Sequence, residues 1–186
     1  TYKHAMAKGA QKKYSPVEVT SDDVAVLQYT GGTTGVAKGA MLTQGNIIAN
    51  MLQIVEWSKV LKITSGEVVL TALPLYHIFA FTVNFLAFIT LGSKMVLVPR
   101  PVPIANTAKL FKRYDFTIMT GVNTLFNSLN HCEEFKEAAP RKLKLALAGG
   151  MALQESVSKE FQLITGIPVT EGYGLTEASP VTHCNP

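Results

Sequence analysis

Apolar positions alternate along this chain between short strand-like runs and stripes at helical spacing. Strand patterns occupy residues 24–29, 68–73, 95–99, 116–120, 143–148 and 167–171. Between them, apolar residues recur with the period of a helix, as in Val157, Phe161 and Ile164. Alternating strands and helices predict an α/β fold with a largely parallel sheet and helices on its faces.

The stretch from residue 68 to residue 93 contains no Asp, Glu, Lys or Arg, so its length raises the question of a membrane span. Pro74, Tyr76, His77 and Asn84 interrupt it. We therefore interpret it as a buried strand, a loop at residues 75–78 and a buried helix over residues 79–91.

Unusual sequences follow four of the predicted strands. A glycine-rich loop follows the first strand, "PLYHIFAF" the second, "AGGMAL" the fifth and "EGYGLTE" the sixth. Ligands of open α/β sheets bind just beyond the carboxyl ends of the strands. The sequence therefore predicts one site, at one edge of the sheet.

The glycine-rich loop lies within residues 29–46, "YTGGTTGVAKGAMLTQGN". Glycine backbone, threonine hydroxyls and Lys38 together suit an anion such as a phosphate. The spacing matches neither the Walker loop nor the dinucleotide fingerprint. Helical periodicity resumes after the loop, with Thr43 or Asn46 as the cap, so we predict a strand, a phosphate loop and a helix in succession.

Composition indicates one domain or a segment of a larger protein, because 47% of the 186 residues are hydrophobic and only 16% are charged. The net charge of +4 is concentrated in a basic leader, residues 1–21, which contains Lys3, Lys8, Lys12 and Lys13 and which we expect to be poorly ordered. No alternation of basic and aromatic residues indicates a nucleic-acid partner. Cys132 and Cys184 lack metal-ligand spacing and suggest reduced thiols in a cytoplasmic protein.

Taken together and in this order, the motifs resemble those of the adenylate-forming acyl-CoA synthetases. "YTGGTTGVAKGAMLT", "LPLYHIFAF", "GVNTLFN", "AGGMAL" and "EGYGLTE" are most similar to the bacterial long-chain fatty acid–CoA ligases. The resemblance implies a two-step reaction, in which a fatty carboxylate attacks the α-phosphate of ATP and coenzyme A then displaces AMP. It implies ATP and Mg²⁺ as cofactors and coenzyme A as co-substrate.

The resemblance also assigns roles to residues of this chain. The residues implied to hold the phosphates are Thr30, Gly31, Gly32, Thr33, Thr34, Gly35 and Lys38. The residues implied to line the nucleotide pocket are Gly149, Gly150, Met151, Gly172, Tyr173 and Gly174, with Tyr173 stacked on adenine. Lys38, His77, Thr176 and Glu177 are the implied catalytic residues: Thr176 lies near the α-phosphate, His77 beside the substrate carboxylate, and Glu177 binds Mg²⁺.

The chain departs from the family pattern in two respects. Gln44 stands where a histidine is usual after "LT", and the family's T-G-D segment does not occur. We therefore expect residues 22–186 to be the central ATP-binding part of an adenylation domain, truncated at both ends. We expect the 186-residue chain to be inactive by itself.

Two alternatives stay open. The parent enzyme could act on another carboxylate, such as an aryl or amino acid, because the phosphate and adenine motifs are shared among these ligases. The chain could also be a non-catalytic nucleotide- or acyl-binding module. The resemblance is compatible with a cytoplasmic location, peripheral contact with the inner face of the cell membrane, and a homodimer.

Overall fold

The strands and helices follow the predicted alternation. The computed structural model describes residues 1–30 and 37–185. Its strands are β1 (Val24–Thr30), β2 (Lys38–Thr43), β3 (Val68–Thr71), β4 (Lys94–Leu97), β5 (Ile118–Gly121), β6 (Leu145–Ala148), β7 (Val169–Gly174) and β8 (Val181–Cys184). Its α-helices are α1 (Tyr2–Ala10), α2 (Gln44–Val60), α3 (Phe88–Thr90), α4 (Ile104–Arg113), α5 (Asn123–Asn130), α6 (Glu133–Ala138) and α7 (Glu155–Thr165). A π-helix at Ala80–Ala87 continues into α3, and a 3-10 helix spans Thr176–Ala178.

A largely parallel sheet forms the centre of the described structure, which confirms the predicted fold class. Six strands pair in the order β4-β3-β5-β6-β7-β8. The neighbours from β4 to β7 are parallel, whereas β7 and β8 are antiparallel. The sequence pattern did not predict β8, because its four residues include two polar ones, Thr182 and His183.

Both faces of the parallel strands are buried, and successive residues serve opposite faces. Leu70 and Met119 pack on the side of α4, α5, α6 and α7. Val69 and Ile118 pack on the other side, against α2 and the π-helix. This alternation follows from the pleat of a strand. Because helices cover both faces, solvent is accessible to the parallel strands only near their ends. Polar residues of these strands therefore lie where the strands begin and end.

The first predicted strand lies outside the parallel sheet, which corrects the expected succession of strand, loop and helix. β1 pairs antiparallel with β2 in a separate two-stranded sheet. The chain therefore passes from β1 through residues 31–36 to a second strand before α2 begins. The pattern missed β2 because "KGAMLT" contains two small residues and a lysine, which weakens its apolar alternation.

Helix α2 begins where the sequence predicted a cap. The Thr43 hydroxyl accepts a hydrogen bond from the Asn46 backbone N–H, and the Asn46 side chain accepts one from the Thr43 N–H. This reciprocal capping box satisfies two backbone donors that the first turn of a helix leaves unpaired. It also fixes the point at which the chain turns from the hairpin into the helix.

The charge-free stretch forms a buried strand, a loop and a helix, as interpreted from the sequence. Its helix is π-helical at first, a geometry that is rare and often found at functional sites. Asn84 of the π-helix is fully buried, and its side-chain amide donates to the Thr120 hydroxyl at 2.8 Å. The Thr71 hydroxyl accepts a second bond from the same amide at 3.3 Å, so Asn84 joins the helix to the ends of β3 and β5.

The basic leader contains α1, in which every residue is exposed. Within residues 1–30 and 37–185, no helix combines the length and the apolar character that crossing a bilayer requires. The proposed boundary between residues 1–21 and 22–186 stays a prediction.

A buried carboxylate ties two parallel strands together at the edge of the sheet where they begin. Glu67 precedes β3, its side chain is 3% exposed, and it lies 2.7 Å from the Lys144 ammonium, which precedes β6. Burial by itself raises the pKa of Glu67, but hydrogen bonds from Lys144, Thr117 and Thr64 outweigh it and leave the pKa below its usual value of 4.5. Ionised Glu67 therefore stabilises the folded state.

We expect Glu67→Gln to lower the free energy of unfolding at pH 7 by about 1.5–3 kcal/mol, the usual contribution of a hydrogen bond to a charged group. Because the folded pKa is depressed, the contribution is complete above pH 4.5 and is lost as the pH falls through the folded pKa. The free energies of unfolding of the wild type and the variant, measured by thermal unfolding, should therefore differ most at pH 7 and become equal in acid.

Glu137→Gln is the matched control, because Glu137 forms an exposed ion pair with Lys112 at a similar distance of 2.7 Å. An exposed pair contributes no more than about 1 kcal/mol. Equal destabilisation by the two substitutions would contradict a stabilising role for ionised Glu67. So would a difference in unfolding free energy between wild type and Glu67→Gln that does not change with pH.

Candidate functional site

A cleft of about 340 Å³ opens beside the carboxyl ends of β6 and β7. It is bordered by residues around positions 30, 77–79, 147–150 and 172–184, four regions that are well separated in sequence. These residues are Thr30, His77, Ile78, Phe79, Leu147, Gly150, Gly172, Tyr173, Gly174, Leu175, Thr176, Glu177, Pro180, Val181 and Cys184. The structure thus brings eight of the predicted site residues to one cleft: Thr30, His77, Gly150, Gly172, Tyr173, Gly174, Thr176 and Glu177.

The hairpin predicted to bind phosphate reaches the cleft from outside the parallel sheet, through Thr30. Thr30, the last residue of β1, lines the cleft, and Lys38, the first residue of β2, pairs with it across the hairpin. The Thr30 hydroxyl donates to the Lys38 carbonyl at 3.4 Å. Gly31, Gly32, Thr33, Thr34 and Gly35 lie outside the described residues, and Lys38 is exposed.

A side chain from the hairpin contacts the loop that carries His77. The Gln28 amide of β1 donates to the Tyr76 carbonyl at 3.2 Å. This bond holds the hairpin against the segment between β3 and the π-helix. Sequence reasoning did not single out Gln28, since a glutamine within a strand pattern gives no functional signal.

His77 lies exposed at the cleft, just before the π-helix. Its Nδ1 accepts a hydrogen bond from the Phe79 backbone N–H at 3.2 Å. An acceptor at Nδ1 places the proton of the neutral ring on Nε2, so Nε2–H is the atom that can donate to a ligand in the cleft.

A second cavity of about 460 Å³ is also lined by Tyr173. It shares Gly150, Gly172, Tyr173 and Gly174 with the cleft and adds Met151, Ala152, Glu171, His183 and Asn185. Tyr173 is 61% exposed, so its ring offers a face to a flat ligand. Its nearest aromatic neighbour is His183, directly opposite in the pairing of β7 with β8, at 6.3 Å between ring centroids.

Two glycines of the site have little room for a side chain, and at Gly174 there is none. A Cβ on Gly174 would overlap the Pro180 carbonyl oxygen. A Cβ on Gly149 would lie 3.1 Å from the Phe79 ring. Gly149 is buried and borders Phe79 in this way, whereas Gly150 is exposed and has a φ of +80°, a conformation that favours glycine.

Thr176 and Glu177 lie in the 3-10 helix between β7 and β8. Glu177 is exposed at the cleft, with Thr176 half-buried beside it. In the part of the chain that the structure describes, no group of three or more His, Cys, Asp or Glu side chains could hold a metal ion by itself. A cation at Glu177 would therefore need oxygen ligands from elsewhere, such as phosphates and waters.

A third cavity, of about 230 Å³, shares the lining residues Leu147, Val181 and Cys184 with the cleft. It extends between α2, the π-helix and β8, and Ile54, Trp57 and Val83 contribute apolar walls. Burial raises the pKa of the Cys184 thiol to about 11, so the thiol is neutral at pH 7 and adds to the apolar lining. Both cysteines are free thiols.

Several residues of these cavities were not predicted from the sequence. Glu171 could have been found, because it begins the motif "EGYGLTE"; its carboxylate accepts from the Leu153 N–H at 3.2 Å. Trp57, His183 and Cys184 carry no motif signal. They join the site only because α2 and β8 pack beside β6 and β7.

The chain is similar over its whole length to curated bacterial enzymes. It is 46% identical over 186 residues to a long-chain-fatty-acid–CoA ligase of Salmonella typhimurium, covering 100% of this chain and 33% of that protein. It is 40% identical to the enzyme of that name from Bacillus subtilis, covering 88% of this chain and 29% of that protein. The chain spans about a third of the length of the curated relatives it matches.

Solved structures share the fold. ATP-bound MatB from Rhodopseudomonas palustris superposes with a TM-score of 0.84 at 30% identity, covering 98% of this chain and 35% of that one. The family model described as AMP-binding enzyme matches residues 2–186. The motifs, the arrangement of the cleft and these similarities agree, and the chain belongs to the AMP-binding enzyme family.

Proposed function

We propose that the complete gene product containing this chain activates a long-chain fatty acid with ATP and transfers the acyl group to coenzyme A. The fatty carboxylate attacks the α-phosphate of ATP to give an acyl-adenylate and pyrophosphate; the thiol of coenzyme A then displaces AMP. The carrying observation is the cleft in which His77, Tyr173 and Glu177 lie together beside Thr30. The 46% identity to a curated long-chain-fatty-acid–CoA ligase supports the substrate class.

The nucleotide lies across Tyr173 in this proposal. Adenine stacks on the exposed ring in the second cavity, and the exposed Gly150 and Met151 lie on the same wall. The phosphates extend through the cleft toward Thr30 and Lys38, which pair across the hairpin. Thr176 then lies near the α-phosphate, and Lys38 supplies positive charge at the far end of the polyphosphate.

His77 orients the reacting carboxylate. Its Nε2–H donates to a carboxylate oxygen, and the Phe79 N–H holds the ring in this tautomer. A carboxylate is a weak nucleophile, so most of the rate comes from holding it in line with the α-phosphorus and from stabilising charge on the phosphates. The protein residues provide the positioning.

Mg²⁺ fits the donor set at Glu177. A single exposed carboxylate beside a phosphate cleft matches the way Mg²⁺ is usually held, by one or two carboxylates together with phosphate oxygens and waters. When bound, the ion would neutralise charge on the polyphosphate. Glu177 is the residue of this chain that we propose as its ligand.

The acyl chain occupies the third cavity. This cavity borders the cleft at Leu147 and Val181, which line both, and Ile54, Trp57 and Val83 give it apolar walls. Burying each methylene of the acyl chain there contributes about 0.8 kcal/mol. A long aliphatic substrate therefore suits this site better than a small polar acid.

We further propose a cytoplasmic enzyme whose basic leader contacts the anionic inner face of the membrane through Lys3, Lys8, Lys12 and Lys13, all exposed. Residues 22–186 form the ATP-binding part, and a homodimer is compatible with this arrangement.

In the complete gene product, we expect Glu177→Gln to keep the fold, because the side chain is exposed and the change is nearly isosteric. Loss of its charge should lower fatty-acid-dependent pyrophosphate release by about 10²–10³, the usual effect of removing one electrostatic contact to the transition state. The rate is measured across a Mg²⁺ titration, with circular dichroism to verify folding.

Glu155→Gln is the control, since Glu155 is also exposed but begins α7 away from the cleft. It should leave the rate and the Mg²⁺ dependence unchanged. Near-normal adenylation by Glu177→Gln with unaltered Mg²⁺ dependence would rule out Glu177 as the metal ligand.

We expect Ile54→Phe to shift the preference toward shorter acids, because Ile54 is half-buried on α2 and lines the third cavity. The ratio of kcat/KM for a 16-carbon acid to that for an 8-carbon acid should fall about tenfold, as expected for steric exclusion of a few methylenes. Ile48→Phe, on the exposed side of the same helix, should leave the ratio unchanged. An equal loss for both acids would place the acyl chain elsewhere.

A further inference from the structure

The turn that presents Thr176 and Glu177 is held by buried side chains from two other segments. It connects β7 to β8, and its own backbone closes through a hydrogen bond from the Leu175 N–H to the Pro180 carbonyl at 3.0 Å. Thr176 and Glu177 lie inside this loop. Its position relative to the rest of the cleft depends on what contacts Ser179, Pro180 and Val181.

Asn50 of α2 binds both backbone groups of Val181. Its side-chain amide donates to the Val181 carbonyl at 2.7 Å, and its side-chain oxygen accepts from the Val181 N–H at 3.0 Å. Asn50 is 5% exposed. These two bonds resemble one rung of a β-ladder. The Asn50 side chain takes the place of a neighbouring strand beside β8, the edge strand of the sheet.

Thr82 of the π-helix binds the same turn from another side. Its hydroxyl donates to the Ser179 carbonyl at 3.0 Å, and both residues are buried. Buried polar groups that lose a partner destabilise their surroundings by more than the bond contributed. The turn therefore has a strongly favoured position against α2 and the π-helix.

These two contacts link the three parts of the cleft. α2 follows directly from the hairpin that carries Thr30 and Lys38, and the π-helix follows directly from His77. We propose that Asn50 and Thr82 are positioning residues, which set the place of Thr176 and Glu177 relative to the phosphate hairpin and to His77. The predicted effect of these residues on catalysis rests on the proposed function. Their effect on the position of the turn does not depend on it.

The test compares Asn50→Asp with Asn130→Asp in the complete gene product. Asn130 is equally buried, and its amide donates to the Val157 carbonyl at 2.9 Å, far from the cleft. Each substitution replaces an amide donor by a carboxylate facing a backbone carbonyl, so each should lower the melting temperature. Only Asn50→Asp should speed amide hydrogen exchange in residues 174–184, and only it should lower kcat for pyrophosphate release, by tenfold or more.

Asn50 also borders the third cavity, so a direct effect on the acyl chain must be separated from positioning. Loss of an acyl contact would raise the fatty-acid KM and would disappear with a short acid such as butyrate. Loss of positioning lowers kcat for the short and the long acid alike and raises the Mg²⁺ concentration needed for half-maximal rate.

Thr82 provides a second pair of variants that keeps the test decisive if Asn50→Asp does not fold. Thr82→Val removes the hydroxyl at nearly constant volume and should reproduce both effects, whereas Thr82→Ser retains the donor and should restore exchange and kcat to within about twofold of wild type.

A wild-type protein without adenylation activity would refute the proposed function. The hydrogen-exchange measurement would still test whether the two contacts hold the turn. Exchange in residues 174–184 that is unchanged by Asn50→Asp and Thr82→Val, or a fall in kcat no larger than that of Asn130→Asp, would overturn the inference.

Discussion

Burial of both faces of the parallel strands is the constraint on which the remaining structure depends. Val69, Ile118 and Leu147 pack on one face, and Leu70, Met119 and Ala146 pack on the other. Residues between the two helical layers must be apolar or, like Thr71 and Thr120, hydrogen-bonded, because unpaired polar groups there would be costly. Chemistry can therefore lie only at the ends of the strands, and the cleft opens at their carboxyl ends.

Polar side chains inside this structure mark the joints between elements. Asn84 joins the π-helix to β3 and β5, and Glu67 joins the beginnings of β3 and β6 through Lys144. Asn50 joins α2 to β8. Each is nearly inaccessible to water, so its hydrogen bonds are stronger and geometrically more demanding than on the surface. Such contacts fix how elements sit relative to one another, which apolar packing specifies less sharply.

The cleft consists of pieces that belong to different layers. Thr30 comes from a hairpin outside the parallel sheet, His77 from the loop after β3, and Glu177 from the turn after β7. The proposed reaction depends on placing a carboxylate against a phosphate, so it needs these pieces held within a fraction of an ångström. Hydrogen bonds from the side chains of Gln28, Thr82 and Asn50 connect these pieces.

The sequence by itself determined the α/β class, six of the strands, a helix cap at Thr43 or Asn46, and the motifs that identify the family, because each leaves a local pattern of apolar spacing or residue type. The candidate site segments "PLYHIFAF" and "EGYGLTE" were found in the same way, and both contribute residues to the cleft. Tertiary structure alone decided that β1 pairs with β2 in a separate hairpin and that β8 forms one edge of the six-stranded sheet. It also decided that Asn50 meets Val181 across 131 positions of sequence. Strand pairing and side-chain-to-backbone contacts depend on which surfaces remain free after the core has packed, and no local period of the chain records that choice.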